Sequence, residues 1–268
     1  ELNGRYTHHA IFDETIKFIK NNKDKPFFLY CPWTPPHAAY QIPEDEPAWK
    51  MYKDKPWPHD ARVAAAMDTM MDRHVGEITA LLKKLGIYQN TLMFFTSDNG
   101  AAKRFDGIHN SSGVMQGKKR SLNEGGIRVP MVVRWPDKIK AGRVSSHPWY
   151  FPDVMPTFAE IGGVSTEVPE DIDGISILST LLDKGVQKQH EYMFWQYGVR
   201  AVRSGKWKGI GKGGHLYLYD LSKDIEEKND LSSKHPEISA RMKKYITIGY
   251  REPRSQKDDG KYTGKDKK

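Results

Sequence analysis

Two short segments of this chain carry the residue types that could do chemistry. An apolar run over residues 92–95 is followed by Asp98, Asn99 and Gly100, and a basic, glycine-rich loop containing Lys119 comes about twenty residues later. Carboxylate and amide oxygens suit a hard cation such as Ca²⁺ or Mg²⁺. A lysine ammonium suits a tetrahedral oxyanion. A site with both parts could bind and activate a sulfate or phosphate ester.

These side chains need strands to bring them to one place. Residues 26–30, 91–95 and 129–135 are apolar and predict three buried strands. Ligand-binding side chains of open α/β sheets collect beyond the carboxyl ends of the strands. We therefore expect His37, after the first strand, and Asp98, after the second, to lie at one edge of the sheet. The loop around Lys119 should converge on the same edge.

Helical patterns alternate with these strands. Residues 7–22 and 59–85 show apolar side chains at spacings of three and four, and Gly86 ends the second pattern. The methionines of this second stripe indicate core packing rather than a cofactor contact, and His74 beside them indicates a hydrogen-bonded core or boundary histidine. Shorter helices are predicted at 153–161 and 174–184. The proline-rich residues 33–58 predict a long irregular excursion, a feature that is usually functional.

The character of the chain changes near residue 190. Short aromatic and β-branched runs separated by glycines predict an antiparallel meander, followed by a helix over residues 236–246. We predict an α/β fold in three parts. Residues 1–189 would be the main domain, with a mostly parallel central sheet flanked by helices. Residues 190–250 would form a small antiparallel α+β subdomain, and residues 251–268 a charged tail.

Composition and charge narrow the class of protein. The 268 residues are 38% hydrophobic, enough for a substantial core, and the formal net charge is +8. The predicted tail holds seven basic and four acidic residues and so supplies +3 of that charge, which makes charge weak evidence for an anionic substrate. Nucleic-acid binding needs clustered aromatic and basic residues. The segment Lys206-Trp207-Lys208 is too short for that, and no apolar run is long enough to span a membrane.

Several other polar residues have ordinary interpretations. Cys31 is the single cysteine, so it forms no intrachain disulfide. The apolar residues just before it predict a buried, inert thiol. Asp68 and Asp72 lie four residues apart on the long helix, a spacing that favours solvation or helix pairing over acid–base chemistry. His109, between the two chemical segments, could face a substrate. Glu124 and Arg128, which flank the double glycine, predict an internal ion pair that holds the loop.

The two chemical segments resemble conserved motifs of the type I sulfatases, within the alkaline phosphatase superfamily. Residues 97–100 read Ser-Asp-Asn-Gly, and residues 117–130 read Gly-Lys-Lys-Arg-Ser-Leu-Asn-Glu-Gly-Gly-Ile-Arg-Val-Pro. The resemblance implies that Asp98 and Asn99 bind a divalent cation, usually Ca²⁺. It implies that Lys119, five residues before the motif glutamate, binds the substrate sulfate. His37, after two prolines, would contact the sulfate and assist the leaving group.

The same resemblance defines what this sequence lacks. The family nucleophile is a formylglycine made from cysteine in a Cys-x-Pro-x-Arg motif, which Cys31-Pro32-Trp33-Thr34-Pro35 does not match. The family's Asp-Asp pair on the first strand is also missing, since the only such pair, at 258–259, lies in the predicted tail. We therefore expect the C-terminal part of a sulfatase, inactive as a hydrolase by itself and completed by an N-terminal segment that carries formylglycine.

Three functions stay open from the sequence. The first is a sulfatase that hydrolyses sulfate esters of a carbohydrate, with Ca²⁺ as the cation. The second is a degenerate, non-catalytic sulfatase that binds anionic glycans. The third is a phosphoester hydrolase of the same superfamily, although such enzymes use two transition metals, and a neutral amide beside Asp98 better suits one hard cation. By resemblance the compartment would be the periplasm, the cell exterior or the lysosome.

Overall fold

The computed structural model of the protein describes residues 4–252, which form two compact units. The first unit runs through Met93 and includes Phe105–His109 and Val133–Ala141. The second unit comprises Phe94–Arg104, Asn110–Val132 and the chain from Gly142 onward. The predicted division at residue 190 is not tested and stays a prediction. The predicted tail lies outside the described residues except for residues 251–252, and the Asp-Asp pair lies outside them entirely.

Helices dominate the first unit. They are α1 (Thr7–Asn22), α2 (Pro47–Tyr52) and α3 (His59–Lys84), and the two long ones confirm the helical patterns. Their apolar stripes meet in a core that contains Phe12, Ile19 and Leu82, and the methionine stripe of α3 is buried as predicted. Within residues 4–252, no helix combines the length and apolar character that crossing a bilayer requires.

The first predicted strand is wrong. Residues 26–30 join no sheet in the described part of the chain, and Phe28 and Tyr30 are 67% and 70% exposed. An apolar run becomes a strand only where a neighbouring strand satisfies its backbone. The other two predicted strands form, as β1 (Met93–Thr96) and β2 (Met131–Arg134), and they pair in a two-stranded sheet.

The second unit contains the predicted meander. Strands β3 (Met193–Tyr197), β4 (Val199–Ser204), β5 (Trp207–Lys212) and β6 (His215–Asp220) pair in chain order, and every pairing is antiparallel. The helices of this unit complete the list: α4 (Glu124–Ile127), α5 (Val154–Ile161), α6 (Leu178–Leu182) and α7 (Pro236–Ile248).

The two faces of the meander bury different partners. On one face Met242 and Tyr245 of α7 pack against Val202 and Leu218. On the other face Leu122 packs with Ala201, Ile210 and Tyr219. Burying a leucine side chain stabilises a fold by roughly 1.5–3 kcal/mol. The basic loop singled out by sequence is therefore anchored on this sheet through Leu122.

Candidate functional site

Asp98 and Asn99 lie in the turn that follows β1. The Ser97 hydroxyl donates a hydrogen bond to the Asn99 carbonyl at 3.0 Å and closes this turn. Asp98 is exposed and Asn99 is half-buried. Within residues 4–252, neither side chain makes a hydrogen bond or an ion pair. Their oxygens are therefore available to a ligand.

The segment around Lys119 is hydrogen-bonded to this same turn. The Gly100 amide donates to the Gly126 carbonyl at 2.9 Å, and the Lys119 amide donates to the Ala101 carbonyl at 2.8 Å. The Lys119 side chain is half-buried, and its ammonium has no hydrogen-bond or ion-pair partner among the described residues. The backbone thus brings together the two segments that the sequence marked for cation and oxyanion binding.

Glycines make this close approach possible. A Cβ on Gly100 would lie 2.0 Å from the Gly125 carbonyl oxygen, and one on Gly126 would lie 2.1 Å from the Ser121 carbonyl oxygen. Both distances are far below van der Waals contact, so only glycine fits. The paired glycines of the motif therefore have a packing role that spacing alone did not reveal.

Buried charges hold the far end of the loop. The Lys208 Nζ, which is fully buried, lies 2.8 Å from Glu124 Oε1 and 2.9 Å from Glu227 Oε1. The predicted ion pair between Glu124 and Arg128 is present but longer, at 3.6 Å, and Arg128 is 53% exposed. The sequence reasoning missed Lys208 and Glu227. The available signal was a lysine two residues before Ile210, on the strand face that the apolar pattern turns inward.

His37 lies in the first unit, in an exposed turn where its amide donates to the Thr34 carbonyl at 3.0 Å. Its ring Nδ1 is 2.7 Å from the Ala38 carbonyl oxygen. A carbonyl oxygen only accepts, so Nδ1 must carry the proton, and in the neutral ring Nε2 holds the free lone pair. Its convergence with Lys119 and Asp98 stays a prediction.

The remaining candidates have structural surroundings. His74 is buried with its Nδ1 2.9 Å from His8 Nε2, which confirms the prediction of a hydrogen-bonded core histidine. Cys31 is half-buried rather than buried as predicted, and this burial raises the pKa of its thiol above the ordinary value. The His109 ring stacks on Phe105 with ring centres 5.2 Å apart. Asp68 and Asp72 are both exposed on α3.

Comparison with known protein families shows to which of them the chain is related. A model of the sulfatase family matches residues 2–164, and one described as N-sulphoglucosamine sulphohydrolase, C-terminal, matches residues 116–250. The chain belongs to the sulfatase family. The resemblance inferred from the Ser-Asp-Asn-Gly and Glu-Gly-Gly segments is thereby confirmed.

Individual relatives give the extent of this likeness. The steryl-sulfatase of Mus musculus is 34% identical over 213 residues, which cover 74% of this chain and 32% of the relative. The N-acetylgalactosamine-6-O-sulfatase of Bacteroides thetaiotaomicron is 30% identical over 259 residues, which cover 85% of this chain and 48% of that protein. The chain therefore spans about a third to a half of the length of these sulfatases.

Solved structures confirm the α/β fold class. The structure of Ps i-CgsB in complex with k-i-k-neocarrahexaose matches with a TM-score of 0.79 at 29% identity, covering 91% of this chain and 55% of that one. A second structure, BT33336S-sulf, from work on the metabolism of glycosaminoglycans by Bacteroides thetaiotaomicron, matches with a TM-score of 0.75 at 28% identity and covers 90% of this chain and 54% of that one.

The family generally implies a bound metal and a formylglycine. The Asp98 carboxylate and the Asn99 amide oxygen, which have no partner within residues 4–252, fit a hard cation in kind. Such a cation takes about six to eight oxygens, and the described residues hold no group of three or more His, Cys, Asp or Glu side chains that could bind a metal. The pair therefore fits as one part of a metal site.

Proposed function

We propose that this chain contributes cation-binding and sulfate-binding residues to a sulfatase that hydrolyses sulfate monoesters of a carbohydrate. The observation that carries this proposal is the Lys119 ammonium, which has no partner among the described residues. The Lys119 backbone is hydrogen-bonded to the segment that presents Asp98 and Asn99. A half-buried ammonium that no carboxylate among the described residues neutralises can bind an anion.

Each residue has a distinct role in this proposal. Lys119 would bind the sulfate oxygens and stabilise the negative charge that grows on them in the transition state. Asp98 and Asn99 would hold Ca²⁺, which when bound supplies Lewis-acid activation. His37, with Nδ1 tied to the Ala38 carbonyl, would exchange a proton with the leaving oxygen through Nε2. The formylglycine nucleophile would come from a separate segment of the sulfatase.

Carbohydrate is the substrate class that the relatives support. One curated relative is named an N-acetylgalactosamine-6-O-sulfatase, and one structural relative was solved with a neocarrahexaose. We extend this class, and no particular sugar, to the present protein. The same relationship supports a periplasmic, secreted or lysosomal location.

The reaction class can be tested with the protein completed by its nucleophile-bearing segment. Release of sulfate from N-acetylgalactosamine 6-sulfate and 4-nitrophenyl sulfate is compared with release of phosphate from 4-nitrophenyl phosphate. We expect sulfate-ester turnover at least about 100-fold above phosphate-ester turnover, lost on chelation and restored by Ca²⁺. Preferred phosphate release would instead identify a phosphoester hydrolase. Binding of the sulfated sugar without turnover would identify a glycan-binding module.

The metal ligands have their own variant. Asp98→Ala should raise the Ca²⁺ concentration for half-maximal activity by at least about tenfold, since one of the few charged ligands is lost. Asp171→Ala, which removes another exposed aspartate of the second unit, is the matched control and should leave it unchanged. Equal Ca²⁺ requirements in the two variants would remove Asp98 from the metal site.

A further inference from the structure

Three buried charged side chains of the second unit form a cluster that the proposed chemistry does not use. We call it the clamp, and its members are Glu124, Lys208 and Glu227. Their exposed fractions are 2%, 0% and 2%. Lys208 lies between the two carboxylates, at 2.8 Å from Glu124 and 2.9 Å from Glu227. The clamp joins the basic loop to β5 and to the segment that follows β6.

Glu227 contacts both ends of the loop that carries Lys119. At the far end, its Oε2 accepts a hydrogen bond from the Glu124 amide at 2.7 Å. At the near end, its backbone carbonyl accepts from Gln116 Nε2 at 3.1 Å. Lys119 lies between these two attachment points. One residue, distant in sequence, therefore fixes the entry and exit of the loop.

Packing alone does not call for these charges. Taking an ammonium and two carboxylates out of water costs several kcal/mol per ion, and apolar side chains of similar volume often stabilise a core as well or better. Leu122 already supplies an apolar anchor for the same loop on the meander. Unlike apolar packing, the ion pairs and hydrogen bonds of the clamp have preferred directions. They therefore restrict the position of Glu124 and of the loop backbone.

We propose that Glu227, acting through Lys208 and Glu124, is a positioning residue for the sulfate-binding Lys119. The inference rests on the proposed function, because it assigns a role toward the same lysine. A lysine on a flexible glycine-rich loop gains catalytic value only when its ammonium is held in place, and a displacement of about 1 Å can cost about 100-fold in rate.

A double-mutant cycle tests this role with a readout that loss of stability does not mimic. The probe is 4-nitrophenyl sulfate, hydrolysed by the completed protein at a temperature where every variant is folded. Lys119→Ala should lower kcat/KM by about 1,000-fold, and Glu227→Gln by about 100-fold. In the Lys119→Ala background, Glu227→Gln should then cost no more than about threefold, because the group that it positions is already gone.

Asp220→Asn is the matched control, since Asp220 is also a buried carboxylate of this unit paired with a lysine, at 2.7 Å from Lys206. Its effect should be small and equal in both backgrounds. Gln116→Ala leaves the buried charges intact and loosens only the near end of the loop. Gln116→Ala should show the same non-additivity with Lys119→Ala at a smaller size. The positioning role can therefore be tested even if Glu227→Gln fails to fold.

The outcomes separate the two proposals. A Lys119→Ala variant with native activity overturns the proposed sulfate site itself. A strongly impaired Lys119→Ala variant whose loss simply multiplies with that of Glu227→Gln or Gln116→Ala overturns only the positioning role. Non-additivity with Lys119→Ala that appears for Glu227→Gln and Gln116→Ala, and not for Asp220→Asn, supports both.

Discussion

Two buried clusters, one in each unit of this protein, hold ionisable side chains in opposite ways. In the second unit, Lys208 lies charged between two carboxylates. In the first unit, His8 and His74 are bonded to each other in apolar surroundings, with Phe12 stacked on His74 at 3.8 Å between ring centres. Burial lowers the pKa of both histidines to about 4, so they stay neutral. The comparison shows two ways to bury ionisable groups: the clamp pairs its charges, and the histidine pair stays neutral. The first unit also buries a charge where one is paired, since Glu46 lies 2.9 Å from Arg73.

The largest expected effect is removal of the charge at the centre of the clamp. Lys208→Met should lower the free energy of unfolding by about 3–5 kcal/mol, because two buried carboxylates lose their counterion. Urea unfolding at neutral pH measures this change. Lys206→Met is the control, since Lys206 is 48% exposed, and its loss should cost no more than about 1 kcal/mol. Similar costs in both variants would show that the clamp does not depend on paired charge.

A second large effect should come from the glycine contact at the site. Gly100→Ala places a Cβ 2.0 Å from the Gly125 carbonyl oxygen, so the backbone must shift, at a cost of about 3 kcal/mol. Gly76→Ala is the counterpart in the first unit, where an added Cβ on α3 meets nothing within 4 Å. It should stabilise the protein by about 0.5–1 kcal/mol. Thermal unfolding would show the opposite signs, and equal destabilisation would contradict the tight packing around Gly100.

The histidine pair should produce a smaller effect that depends on pH. Each histidine has a pKa of about 4 when folded, against an ordinary value of 6.5. Between these values the unfolded chain binds more protons, so stability is full above pH 6.5 and falls as the pH drops toward 4. We expect a loss of about 2–3 kcal/mol for each histidine over this range.

His74→Leu supplies the comparison for that measurement. Without His74, the pH-dependent loss between pH 6.5 and 4 should become clearly smaller in urea unfolding, since one of the two buried histidines no longer titrates. An unchanged pH profile would mean that the histidines are protonated without cost.

Local patterns predicted much of this molecule. The apolar stripes of α1 and α3 and the glycine-separated runs of the meander have helical and strand periodicity within the local sequence. These elements form as expected. Residues 26–30 have the same apolar character, yet strand formation depends on a neighbour that the local sequence does not encode. Asp98, Asn99 and Lys119 could be predicted as site residues because each lies in a short motif of neighbouring residues. Lys208 and Glu227 were missed because they lie about a hundred residues from the loop that they hold.

The proposed site requires Lys119, and not the adjacent Lys118, to bind the sulfate. The deciding measurement is kcat/KM for 4-nitrophenyl sulfate, with the completed protein, in Lys119→Ala and Lys118→Ala. The two variants remove the same charge one residue apart, so their net electrostatic effect is matched. We predict a loss of about 1,000-fold for Lys119→Ala and of no more than about threefold for Lys118→Ala. Equal losses, or a larger loss for Lys118→Ala, would contradict the site.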